Sequence, residues 1–159
     1  MDNKGFTLVE LLVAAFLLVT LVSLLAVILE PAGTNWHAAA GKTDALQHGR
    51  IAMEEIVHEL TYACRVISDP SAGRLTYYKK SNGRLMKYRI YKSGSSLLLA
   101  LPEGAAVPIA GCIADFACYP AGELAAGEML TICLKTAEKG QTCSFQSGVL
   151  VRNITEDIP

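Results

Sequence analysis

Residues 6–29 read FTLVELLVAAFLLVTLVSLLAVIL, 24 consecutive positions that carry one charge, Glu10. As a helix this run is ~36 Å long, enough to cross a hydrocarbon core of ~30 Å. Leu, Ala and Val dominate it, no Pro or Gly interrupts it, and Thr20 and Ser23 can bond back to the preceding turn. A cleaved secretory signal has an apolar core of about 7–15 residues and ends at a small-x-small site. This run is longer and has no such site before Pro31, so it is expected to span a membrane. The chain as a whole is 52% hydrophobic, only 18% charged and close to neutral at -1. Such a balance excludes disorder as the dominant state and argues against a dedicated polyanion binder.

The flanks suggest an orientation. The leader MDNKG holds Lys4 and the terminal amine against Asp2, whereas Glu30 follows the run. Positive charge stays on the cytoplasmic side, so the rest of the chain is expected across the membrane. Glu10 has two readings. A carboxylate deep in lipid costs several kcal/mol or more. Glu10 either snorkels at the cytoplasmic boundary or gives an apolar, subunit-facing surface the one charge that fixes its register.

Gly5-Phe6-Thr7-Leu8-Val9-Glu10-Leu11-Leu12 resembles the processing and methylation motif of type IV prepilins and type II secretion pseudopilins. Shared features are the short polar leader ending in Gly, the aromatic residue after it, the Glu five positions into the mature chain, and the long apolar run. The resemblance implies cleavage between Gly5 and Phe6 by prepilin peptidase, then N-methylation of Phe6. It implies that Glu10 pairs with the Phe6 amine of a neighbouring subunit as a filament assembles. Residues 47–65, QHGRIAMEEIVHELTYACR, resemble the second helical half of minor pseudopilins of the PilW and secretion-J types. Residues 147–153, SGVLVRN, are similar to a closing strand of such proteins. The implied fold is α+β and pilin-like. A leader (1–5) precedes a membrane and filament-core helix (6–30) and an extracytoplasmic head (31–159). The implied partners are other pilins or pseudopilins, prepilin peptidase, the inner-membrane assembly machinery and the lipid bilayer. The implied location is the inner membrane, followed by a periplasmic or surface filament.

The residues themselves give a matching outline. Pro31 and Gly33 are expected to end or bend the first helix. A second helical pattern covers about 35–67, with Leu46, Met53, Leu60, Cys64 and Ile67 on an apolar stripe that Ile56 and Val57 widen. Gly41 and Gly49 weaken it locally, and Asp69-Pro70-Ser71-Ala72-Gly73 stops it. The head (sheet about 74–151) reads as strands at 74–80 and 84–92, joined by the hairpin signal Ser81-Asn82-Gly83. Further strands are expected at 96–101, 112–119, 129–134 and 144–151, with 102–108 as loop. The expected architecture is one long helix laid on an antiparallel sheet.

Charge is segregated in the head. Arg65, Arg74, Lys79, Lys80, Arg84, Lys87, Arg89 and Lys92 face Asp69 alone, and Tyr77, Tyr78, Tyr88 and Tyr91 interleave them. A solvated strand face explains this pattern first, because Lys and Arg commonly guard hairpins. Subunit docking comes second. A tip-located binding pilin that meets DNA or another surface through this hairpin is a further alternative, although nucleic acid is not the expected partner. A generic single-pass, membrane-anchored periplasmic domain is the remaining one.

No metal, cofactor or catalytic residue is expected. The five cysteines form no CxxC, and His37, His48 and His58 form no metal motif. Glu54 and His58 read as a helix surface pair. Cys133 and Cys143 flank a turn-sized gap and could form a disulfide. Cys112 and Cys118 are too far apart to bond along one strand, and Cys64 is expected as a buried free thiol.

Overall fold

The computed structural model describes residues 7–81 and 83–154, apart from the side chains of residues 31, 32, 34 and 35. The chain divides into two compact units, Met1–Ala39 and Ala40–Pro159. One helix, α1 (Leu8–Thr61), supplies residues 8–39 of the first unit and 40–61 of the second.

In the first unit α1 begins with the stretch Leu8–Glu30, whose mean hydropathy is 3.0 and of which none is buried. Thr20 Oγ1 donates to the carbonyls of Phe16 and Leu17, and Ser23 Oγ to that of Val19. These hydroxyls are thereby satisfied within the helix, as a lipid setting requires. The expected break at Pro31 and Gly33 is absent, and helix continues across both. An interior proline removes one N–H from the ladder, and the helix runs through it all the same.

In the second unit the helix buries a stripe of small residues. Gly41, Ala45, Gly49 and Ala52 lie on it, followed by Ile56 and Leu60. The steps of three and four residues keep them on one face. This corrects the expected stripe by about one position: Leu46 is 44% exposed and Met53 half-buried. The glycines serve contact rather than weakening the helix. A Cβ on Gly49 would lie 2.0 Å from Phe145 Cε2, and one on Gly41 would lie 3.0 Å from Lys139 Cβ. Thr136 Oγ1, fully buried, donates to the Ala45 carbonyl at 2.9 Å and ties helix to sheet.

The helix stops at Thr61, earlier than expected, and residues 65–69 form a strand. β1 (Arg65–Asp69), β2 (Arg74–Ser81), β3 (Arg84–Ser93), β4 (Ser96–Ala100), β5 (Ala106–Ala110) and β7 (Gly122–Glu123) make a six-stranded sheet in the order β5-β4-β3-β2-β1-β7. β6 (Ile113–Tyr119), β8 (Met129–Glu138) and β9 (Gln141–Leu150) make a separate three-stranded sheet in the order β6-β8-β9. All pairings are antiparallel. The head is thus α+β as expected, with two sheets in place of one. Asp69-Pro70-Ser71-Ala72-Gly73 turns β1 into β2 instead of capping a helix, with Gly73 at φ +54°. Part of the expected loop 102–108 belongs to β5. Asn82 of the hairpin signal lies outside the described residues, while Ser81 and Arg84 pair beside it.

The core is drawn from every layer. Ile56 and Leu60 of the helix meet Val66, Leu75, Tyr77 and Ile90 of the larger sheet and Phe116, Leu130, Ile132 and Leu134 of the smaller one. Alternate residues of β8 point inward, as the period of two requires. Ser68 Oγ donates to the Cys118 carbonyl at 2.5 Å and stitches the two sheets together inside the core.

Candidate functional site

Gly5 and Phe6, the expected cleavage and methylation residues, lie outside the described residues. The description begins at Thr7, and there the sequence forms a reciprocal cap. Thr7 precedes the helix, and its backbone N–H and its hydroxyl each donate to Glu10 Oε2 at 2.9 Å. In return Glu10 N–H donates to Thr7 Oγ1 at 3.3 Å. This is the S/T-x-x-E capping box, which satisfies two of the donors orphaned at a helix start. The acidic side chain also sits at the positive end of the helix dipole. The pattern was readable in Thr7-Leu8-Val9-Glu10, and the sequence reading passed over it.

From this cap onward every large apolar side chain of residues 8–29 is exposed, from 49% at Leu25 to 78% at Leu8. Among the described residues, none covers any side of this segment. A contiguous apolar surface of that size marks contact with lipid or protein.

In the head, the basic stretch does not form one surface. Lys79 Nζ lies 2.7 Å from Glu59 Oε2, and both side chains are largely buried. The Tyr77 hydroxyl donates to the same oxygen, and Lys79 sits within 6 Å of the rings of Tyr62, Tyr77 and Tyr88. Tyr77 and Tyr88 stack at 5.4 Å. Burial would raise the Glu59 pKa, but hydrogen bonds from Lys79 and Tyr77 outweigh it and hold the carboxyl below its ordinary range. Burial first, then the Glu59 carboxylate, push the Tyr77 phenol well above its usual value.

On the opposite face, Arg65 makes a bidentate pair with Glu123 at 2.5 and 2.8 Å, and Arg74 pairs with Asp69 at 2.9 Å. A hollow of about 280 Å³ on this face is lined by Asp69, Arg74, Tyr78, Lys87 and Arg89 among others. Among the described residues, Lys80, Lys87 and Arg89 on this face have no ion-pair partner. Sequence spacing could not separate the two sets, because the partners Glu59 and Glu123 are remote along the chain.

Glu54 pairs with Arg50 at 2.8 Å, not with His58 as expected. Glu55, His58 and Glu59 place ligand-type atoms within 4.8 Å of one another, but Glu59 is already committed to Lys79 and Tyr77. His48 Nδ1 accepts the Gly111 N–H at 3.4 Å, a structural role.

The possible Cys133–Cys143 disulfide does not form. The β8–β9 register sets Cys133 opposite Gln146 and Cys143 opposite Thr136, and both thiols are free. An offset of three residues is ~10 Å along a strand and puts the side chains on opposite faces, beyond disulfide reach. Cys64 is half-buried and lies past the helix end. The buried thiol is Cys118, pushed up to about 12 by its burial. Cys112, at φ +59° before β6, donates to Glu138 at 3.0 Å, and that bond pushes it up to about 11.

No curated protein and no solved structure matches the chain. Residues 1–29 do match the family model described as the prokaryotic N-terminal methylation motif. That motif points to a structural subunit rather than an enzyme and is consistent with a membrane-anchored protein. Carried on a capped helix whose large apolar side chains are exposed, it supports a likeness to the type IV prepilins and pseudopilins.

Proposed function

We propose that the chain is a minor pseudopilin or minor pilin, a structural subunit of a type II secretion or type IV pilus filament. The observation that carries this reading is the methylation motif at residues 1–29 on a helix that none of the described residues covers. Such a helix is stable first in lipid and then among the helices of neighbouring subunits. The leader is removed between Gly5 and Phe6, Phe6 is N-methylated, and the head is held outside the cytoplasm while the helix waits in the inner membrane. The resemblance of residues 47–65 and 147–153 to minor subunits supports the minor role.

Glu10 has the capacity for two tasks. Its contacts with Thr7 all fall on Oε2, and an ionised carboxylate offers about four acceptor sites over two oxygens. The same group can cap its own helix and receive the Phe6 amine of an adjacent subunit. In low dielectric that cation–carboxylate pair is far stronger than in water.

Intact-mass spectrometry of the membrane-extracted protein tests the reading. A chain that starts at Phe6 and carries one methyl group is expected. A retained leader, or loss of the whole apolar segment, refutes it. Two substitutions then separate the tasks of Glu10. Gln serves in a capping box, so Glu10→Gln keeps the cap and removes the charge, whereas Glu10→Ala removes both. Both variants are expected to lose filament incorporation while the head folds. Normal incorporation of Glu10→Gln would reduce Glu10 to a helix cap.

A further inference from the structure

Trp36 is the one tryptophan of the chain, and it is 75% exposed on α1. It lies in the same compact unit as the apolar stretch Leu8–Glu30. A large, apolar, uncovered ring on a polar part of a helix needs a reason, and its position supplies one. At ~100° per residue, Trp36 falls within roughly 20° of Leu18, Leu25 and Leu29, so it continues a line of exposed leucines. It stands six residues past Glu30, ~9 Å along the axis. Helical side chains lean back toward the N-terminus, which brings the ring closer to the apolar stretch than its Cα. A bilayer's headgroup layer adds ~5–8 Å on each side of the hydrocarbon core. Between Glu30 and Lys42 the sequence has no Asp, Glu, Lys or Arg to pull this part of the helix away from the surface.

We propose that Trp36 is an interfacial anchor, seated in the lipid headgroup layer on the head side of the membrane. The proposal rests on the reading of Leu8–Glu30 as a membrane span. Tryptophan suits that layer, since its ring is apolar and its one N–H finds acceptors among phosphates and carbonyls. With Glu10 near the opposite boundary, the ring fixes how far the helix stands out of the bilayer.

The single tryptophan makes the test direct. The full chain is reconstituted in phosphatidylcholine vesicles in which part of the lipid is brominated, either high on the acyl chain near the headgroup or low near the bilayer centre. The chain is expected to float with the vesicles, with its emission shifted to shorter wavelength than in denaturant. High bromines are expected to dim it more than low ones. If the chain floats but neither lipid dims the emission, the ring faces water or another subunit, and the anchor is refuted while the span stands. Stronger dimming by the low bromines refutes it too, because the ring is then in the core. Failure to float removes the span reading and the anchor together.

Discussion

Gly49→Ala puts a close helix–sheet approach in the head to a quantitative test. The new methyl would lie 2.0, 2.3 and 2.7 Å from Cε2, Cζ and Cδ2 of Phe145. Carbon atoms settle at about 3.5–4.0 Å, so the ring must retreat by roughly 1.5 Å or the helix must lift. Overpacking of this kind costs about 1–3 kcal/mol. Against it, Ala in a helix interior is better than Gly by about 1 kcal/mol. Phe145 is only half-buried on β9 and can partly yield, which sets the net loss near 1 kcal/mol. For a head of this size, that lowers Tm by roughly 4 °C. The three nearest atoms all belong to the ring, so the sign is expected to invert without it. In a Phe145→Ala background, Gly49→Ala is expected to stabilise by up to about 1 kcal/mol. The assay is urea unfolding of the full chain in detergent, followed by near-ultraviolet circular dichroism. All six tyrosines lie in the second unit, so with Trp36 of the first unit replaced by Phe in every variant the signal follows the head. A destabilising Gly49→Ala in both backgrounds would refute the close-approach argument.

Glu59→Gln is expected to cost about 1–2 kcal/mol at neutral pH by leaving Lys79 half-compensated, as urea midpoints would show. Because the folded pKa of Glu59 lies below its ordinary 4.5, its contribution is complete above that pH and is lost as pH falls through the folded value. The wild type should therefore lose more stability on acidification than Glu59→Gln does. Equal slopes for the two chains would show that the pair contributes nothing. Timed alkylation read by peptide mass should leave Cys118 last among the five cysteines, since its thiol is buried and pushed up to about 12. In the same experiment without reductant Cys133 and Cys143 should both label, and a bridged peptide would overturn the β8–β9 register.

What the sequence made legible follows the range of the interactions involved. The apolar stretch depends on composition alone, and it was read almost to the residue. Strands β2, β3, β4 and β8 depend on local alternation and a hairpin signal, and they were found within a few residues. The helix face was missed because its buried positions are Gly41, Ala45, Gly49 and Ala52. Small residues carry little hydrophobic signal, so Leu46 and Met53 beside them attracted the assignment. β1 was read as helix because Cys64 and Ile67 fit a helical spacing. Its strand character comes from pairing with β2 on one side and β7 on the other, and β7 lies more than fifty residues away. Separations of 20 and 58 residues likewise hid Lys79–Glu59 and Arg65–Glu123, so eight cations looked like one patch. The disulfide expectation failed on register, which the pairing of Glu138 with Gln141 sets at the turn.

The two parts of α1 solve opposite packing problems, and this bears on how the chain can work. In residues 8–29 bulky Leu, Val and Phe project on every side, and none of the described residues covers them. Such a surface has no single preferred neighbour, so it tolerates lipid and other helices alike, provided that its polar start is satisfied. Thr7 and Glu10 satisfy it from within the helix. In residues 41–52 the helix instead presents Gly and Ala to a sheet that comes within contact of its backbone. That surface accepts one partner in one register, because almost any added atom collides. Substitutions among apolar residues should therefore be mild in the first part and severe on the buried face of the second. The proposed filament role, in which lipid is exchanged for neighbouring helices while the head stays intact, would draw on this division: an adaptable surface where the surroundings change, and a tightly fitted one where they do not.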